Sequence, residues 1–122
     1  MDAARIIIIE DDASLREDCR ANLEIRNHVI VGEAGSLAAA HSLINRLDTS
    51  EVDIAIVDGN LSELTNTGDD GAELAEAIHI KLPGVTVIGW SMAGSVRGAD
   101  LNAPKHNAWA LDAMVTELPP RG

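Results

Sequence analysis

Two apolar rhythms alternate along the chain. Four short runs are apolar at nearly every position: Arg5 to Ile9 (RIIII), His28 to Ala34 (HVIVGEA), Asp53 to Val57 (DIAIV) and Val85 to Trp90 (VTVIGW). Such runs predict strands covered on both faces, and a weaker fifth is expected near Ala99 to Ala103 (ADLNA). Between them the apolar residues fall at helical spacing. Leu15, Cys19 and Leu23 form one stripe, Leu37, Ala40, Ile44 and Leu47 a second, and Leu74, Ala75, Ile78 and Leu82 a third. Ser14 with Glu17 predicts a capping box for the first helix and Ser36 an N-cap for the next. The Pro83-Gly84 pair stops the third helix, and a last helix runs from about Asn107 to Leu118 before Pro119-Pro120.

Strands alternating with helices predict a five-stranded parallel sheet with crossover helices, in one domain spanning residues 1–122. In open sheets of this kind, ligands gather beyond the carboxyl ends of the strands, where strand order reverses. The residues expected at that edge are Glu10, Asp11 and Asp12 after the first strand, Asp58 after the third, Ser91 after the fourth and Lys105 after the fifth.

Composition narrows the function classes. The chain has 122 residues and a formal charge of -11, with 20 acids against 9 Lys and Arg. That balance argues against direct binding of a nucleic-acid backbone. Cys19 is the only cysteine, so no intrachain disulfide is possible. No signal peptide or membrane span is evident, and a cytoplasmic location is expected. The chain lacks Phe and Tyr altogether. Its core is therefore expected to consist of Ile, Leu, Val and Ala, with Trp90 and Trp109 as the aromatics.

Converging carboxylates cannot all stay ionised without a cation between them, and an all-oxygen donor set suits Mg²⁺ or Mn²⁺. An ion held by a few carboxylates keeps positions open for water or phosphate oxygens, which favours phosphoryl chemistry. Lys105 and Ser91 would then meet further phosphoryl oxygens. Taken singly, each residue has a plainer reading: Asp12 as a helix cap, Ser91 as a turn residue, Lys105 as a solvated surface charge and Cys19 as core. Asp69-Asp70 reads first as a turn or helix cap. His28, His41, His79 and His106 show no ligand spacing, and only His106, beside Lys105, has a neighbour of interest.

The motifs "IIIIEDD", "VDIAIVDGNL", "VIGWS" and "GADLNAPK" resemble those of the receiver domain of two-component response regulators, over essentially the whole chain. The resemblance implies a flavodoxin-like (CheY-like), doubly wound five-stranded parallel sheet with helices on both faces. It implies Asp58 as phosphoacceptor, Glu10, Asp11 and Asp58 with the backbone carbonyl of Asn60 as Mg²⁺ (or Mn²⁺) ligands, Ser91 as the switch hydroxyl and Lys105 as the phosphate-binding lysine. The implied partners are a sensor histidine kinase or a histidine phosphotransfer protein, together with a downstream protein. Neither nucleic acid nor membrane is expected as a direct partner. The implied activity is self-catalysed phosphotransfer and dephosphorylation, without conventional enzyme turnover.

The sequence also departs from that pattern. Pro104-Lys105-His106 lacks a proline after the lysine, and the usual aromatic switch position falls on Asn102. Six residues separate Ser91 from Gly98, too few for a full fourth helix, which is expected to be shortened or missing. The loop from Asn60 to Gly71 (NLSELTNTGDDG) is longer than usual and lacks the proline after Leu61; it is expected to cover the site or to bring Asp69 and Asp70 near it. The rival reading is a pseudo-receiver, an interaction module whose output does not depend on phosphorylation. A flavin module of similar topology is disfavoured by acids where a phosphate needs amides and hydroxyls. A phosphatase with an Asp nucleophile is disfavoured because "DGN" lacks a second acid two residues on.

Overall fold

The computed structural model describes residues 3–59, 69–92, 95–105 and 107–118. Five strands, β1 (Arg5–Ile9), β2 (Val29–Ala34), β3 (Ile54–Asp58), β4 (Thr86–Ser91) and β5 (Leu101–Pro104), alternate with α1 (Ala13–Ile25), α2 (Leu37–Arg46), α3 (Asp69–Lys81) and α4 (Ala108–Glu117). A single 3₁₀ turn, Thr49–Glu51, leads into β3 and is closed by a capping box between Asp48 and Glu51.

All strand pairs are parallel, and the sheet order is β2-β1-β3-β4-β5. The chain moves outward from β1 to β2, then crosses back to β3 on the other side of β1. That reversal places the crevice at the carboxyl ends of β1 and β3. At the opposite end, Arg5 ties the same two strands together: its backbone N–H and Nε both donate to Asp53 Oδ2, at 2.8 and 3.2 Å.

Period-two alternation assigns each strand residue to a face. Ile7, Ile9, Ala55, Val57 and Val87 pack with α2 and α3, whereas Ile6, Ile8, Ile54, Ile56, Ile88 and Trp90 pack with α1 and α4. β1 and β3 lie between two helical layers, and every residue from Ile6 to Ile9 and from Ile54 to Val57 has no exposed surface. The near-continuous apolar runs follow from that double burial.

Several local expectations need correction. Asp12, not Ser14, caps α1, its side chain accepting from the Leu15 N–H at 3.1 Å; Asp12 lies one turn ahead of the helix's free amides, where a short carboxylate reaches them. Leu15 is 37% exposed, because the first turn of α1 overhangs the groove towards α4. Trp109 is 73% exposed in the first turn of α4, so Trp90 is the aromatic residue of the core. The fifth strand begins at Leu101 instead of Ala99, since Asp100 turns its carboxylate back to accept the Val87 N–H at 2.8 Å. Ser36 caps α2, and Leu74, Ala75, Ile78 and Leu82 are buried as the helical spacing predicts.

No helix stands among the described residues between β4 and β5. A strap over residues 95–100 lies there, with Val96 buried against Gly89. A Cβ on Gly89 would come within 2.7 Å of Val96 Cβ and 2.3 Å of Asn102 Oδ1, so glycine is what allows the strap to lie on the sheet. Asn102 holds it by accepting the Val96 N–H at 2.7 Å.

Candidate functional site

The site grows from the ends of three adjacent strands. Glu10 is the first residue beyond β1; its N–H donates to the Ala34 carbonyl at 3.0 Å, and the residue has no exposed surface. Asp11 follows, exposed at the rim. Asp58 is the last residue of β3 and Ser91 the last of β4, each only 6% exposed. The strands thus reach one residue farther than the sequence pattern predicts, and both side chains are fixed by the sheet itself.

Carboxylate oxygens of Glu10, Asp11 and Asp58 lie within 4.8 Å of one another. Lys105 enters from the far side: its Nζ stands 2.5 Å from Glu10 Oε1 and 3.1 Å from Asp58 Oδ1. The β4–β5 ladder aims this side chain, because the Lys105 backbone N–H continues the pairing by donating to the Ser91 carbonyl at 3.2 Å. No following proline is required. The Lys105 ammonium also lies over the Trp90 ring, with Nζ 5.2 Å from the ring centroid.

Burial dominates the electrostatics. It raises the Glu10 carboxyl, assisted by neighbouring Asp58, to about 8. Lys105 opposes that rise without cancelling it. For Lys105, burial lowers its basicity, but contact with Glu10 and Asp58 outweighs burial and raises it. Burial likewise pushes Asp11 up, yet contacts with Glu10 and Asp58 hold it below its ordinary value. Glu10 Oε1 is met by Lys105, whereas the buried Oε2 has no hydrogen-bond donor among the described residues. A buried carboxylate in that condition is costly unless a cation faces it. The donor set, three carboxylates converging from two strand ends, is one that could hold a hard divalent ion.

Glycines bring the remaining elements close. A Cβ on Gly59 would lie 3.5 Å from Ser91 Oγ, which sets the Ser91 hydroxyl beside the end of β3. Gly71 donates its N–H to the Gly59 carbonyl at 3.0 Å, and a Cβ there would meet the Asp58 carbonyl oxygen at 2.8 Å. The sequence pattern did not single out Gly71; its one signal is a glycine in the first turn of a helix, where other residues are better formers.

Of the residues expected at the site, Glu10, Asp11, Asp58, Ser91 and Lys105 are brought to one edge. Asn60, whose carbonyl the resemblance adds to the ligands, lies outside the described residues, as do His106 and most of the Asn60 to Gly71 loop. Asp69 is not a member of the acid cluster; it opens α3 and pairs with Arg97 of the strap. No His or Cys joins the cluster among the described residues. His28 Nδ1 accepts the Ala4 N–H at 3.0 Å, while His41 pairs with Glu73 and His79 with Asp100. Burial pushes the Cys19 thiol up to about 12, as befits a core residue. A second missed residue is Arg16, whose Nη1 donates to the Glu10 carbonyl at 2.6 Å.

No family model and no curated protein matches the sequence. Solved structures do match. A response regulator receiver domain protein (CheY-like) from Methanospirillum hungatei JF-1 superposes with a TM-score of 0.76 at 22% identity, covering 94% of this chain and 92% of that one. The fold is that of receiver domains. A receiver domain from Mycobacterium tuberculosis matches with a TM-score of 0.73 at 22% identity, covering 96% of each chain. One from a Francisella response regulator matches at 0.72 and 19%, covering 93% of each. Within this receiver fold the strap replaces the helix that would connect β4 to β5. No described helix is long and apolar enough to cross a membrane.

Proposed function

We propose that the chain is a receiver that accepts a phosphoryl group on Asp58 from the phosphohistidine of a sensor kinase or phosphotransfer protein, in the cytoplasm, for two-component signalling or a phosphorelay. The observation carrying this reading is the convergence of Glu10, Asp11 and Asp58 within 4.8 Å, faced by Lys105, at the switch-point edge of a receiver fold. Glu10, Asp11 and Asp58 would hold Mg²⁺ or Mn²⁺, and the buried, unpartnered Oε2 of Glu10 fits that demand. When bound, the ion neutralises charge on the transferring phosphoryl oxygens.

The chain's own residues do the rest. A carboxylate oxygen of Asp58 attacks phosphorus; the new P–O bond forms as the P–N bond to imidazole breaks, and the electron pair leaves with the nitrogen. Asp58 is held by the last β3 position, so the attacking atom is in place before the donor arrives. Lys105 supplies a positive charge to the developing acyl phosphate, and Ser91 a hydroxyl donor. Hydrolysis by water returns the carboxylate and inorganic phosphate. The protein thus modifies and resets itself, without turning over a separate substrate as a conventional enzyme does.

Beryllofluoride, an acyl-phosphate mimic, tests the reading with Trp90 as reporter, since Lys105 lies over its ring. Mg²⁺ followed by beryllofluoride should each change Trp90 fluorescence in the wild type, and the second change should be lost in Asp58→Asn. A beryllofluoride response of equal size in the variant contradicts it. The lack of a helix between β4 and β5 among the described residues and the placement of Asn102 at the aromatic position favour a second reading, a pseudo-receiver that binds partners whether or not Asp58 is modified. In that case Asp58→Asn keeps the cellular phenotype.

A further inference from the structure

We infer that Arg16 is the positioning residue that sets the acid turn for its cation, an inference that rests on the divalent-cation reading above. Glu10 and Asp11 stand on the two-residue turn between β1 and the Asp12 cap of α1. The backbone of Glu10 is held from both sides. Its N–H donates to the Ala34 carbonyl at 3.0 Å, and its carbonyl accepts from Arg16 Nη1 at 2.6 Å. The Arg16 bond fixes the plane of the Glu10–Asp11 peptide, and with it the direction in which both carboxylates leave the turn.

The guanidinium is itself braced. Arg16 Nε lies 3.6 Å from Glu33 Oε1, and Glu33 Oε2 accepts from Arg20 Nη1 at 2.7 Å. Arg16, Arg20, Glu33 and Gly35 line a polar cavity of about 360 Å³ on the β2 side of the acid turn. Gly35 is what lets Arg16 through. A Cβ at that position would stand 2.9 Å from Arg16 Nη1 and 3.8 Å from the Glu10 carbonyl oxygen. Glu33 offsets the guanidinium charge, so the contribution of Arg16 to the cation site is one of geometry. Groups that orient metal ligands in this way commonly govern affinity as strongly as a weak ligand does.

Four variants separate positioning from simple stabilisation. Arg16→Met removes contact and charge, Arg16→Lys keeps the charge without the braced fork, and Gly35→Ala displaces the arginine while leaving it intact. Ser36→Ala, which removes the cap of α2, is a destabilised control that leaves the acid turn untouched. Calorimetry should show Mg²⁺ binding weakened by about tenfold in Arg16→Met and Gly35→Ala, less in Arg16→Lys, and unchanged in Ser36→Ala. Amide exchange at residues 10–12 of the cation-free protein should quicken in the first two alone. If Arg16→Met does not fold, Gly35→Ala decides. Mg²⁺ affinity within about twofold of wild type in Gly35→Ala, or tighter binding in Arg16→Met, overturns the assignment. Failure of the wild type itself to bind Mg²⁺ overturns the cation reading and this inference with it.

Discussion

Glu10 joins burial and charge in one side chain, and its titration is measurable. Its carboxyl is raised from 4.5 to about 8 in the fold, burial being the main cause. A raised carboxyl contributes stability that is fully present below 4.5 and is lost as pH rises through about 8. The cation-free protein is therefore expected to melt at lower temperature at pH 9 than at pH 6. That loss should be smaller in Glu10→Gln and in saturating Mg²⁺, and an unchanged pH dependence in Glu10→Gln contradicts the assignment. Lys105 gives a prediction of two signs. Lys105→Met removes the charge that competes for Glu10 and Asp58, so Mg²⁺ should bind at least as tightly, while beryllofluoride binding weakens by about tenfold or more for loss of a charge-assisted contact. Glu10, Asp58 and Lys105 were legible in the sequence because a charge at the end of an apolar strand is conspicuous. Arg16 was not, since an arginine on a helix surface looks solvated until the strand beside it is placed. Leu15 misled for a related reason: helical spacing gives a face but not what each turn of that face overhangs.

Elements show where packing, more than charge, holds the site. Gly71 allows α3 to begin against the end of β3, and a methyl group there meets backbone atoms of Asp58 and Gly59 at 2.8 Å, which cannot swing aside. Gly71→Ala is expected to cost about 1–3 kcal/mol in denaturant unfolding and to loosen Asp58. The strap is held by different means. Asn102 accepts from Val96, Asp100 from Val87 and Asp69 from Arg97, so Asn102→Ala leaves the Val96 N–H without its acceptor. A loss of about 1–3 kcal/mol is expected, with faster amide exchange confined to residues 95–100. That no full helix would connect β4 to β5 was legible from chain length alone, because six residues between Ser91 and Gly98 cannot make the turns required. The strap's packing was not legible, since it depends on a glycine in one strand, an asparagine in the next and a valine between them. The one- to two-residue shift of β5 likewise follows from Asp100 bonding back to β4, a tertiary contact that periodicity does not encode.

At the scale of the molecule, the alternation of apolar runs was enough to give the sheet and its helical layers, because β1 and β3 are covered on both sides and hold no polar residue from Ile6 to Ile9 or from Ile54 to Val57. The same burial explains why function collects at one edge: polar side chains are admitted where those strands end. A phosphoryl group on Asp58 adds about −1.5 to −2 charges beside Lys105 and Ser91. Among the described residues no helix connects β4 to β5, and α3 and the strap that lie beside the site are joined through His79 and Asp100. The central claim is that Asp58 becomes phosphorylated. Incubation with phosphoramidate and Mg²⁺, followed by intact mass measurement, tests it most directly. One added phosphoryl group is expected in the wild type, absent without Mg²⁺, absent in Asp58→Asn and labile to hydroxylamine as an acyl phosphate should be. No adduct in the wild type, or an adduct that persists in Asp58→Asn, contradicts it.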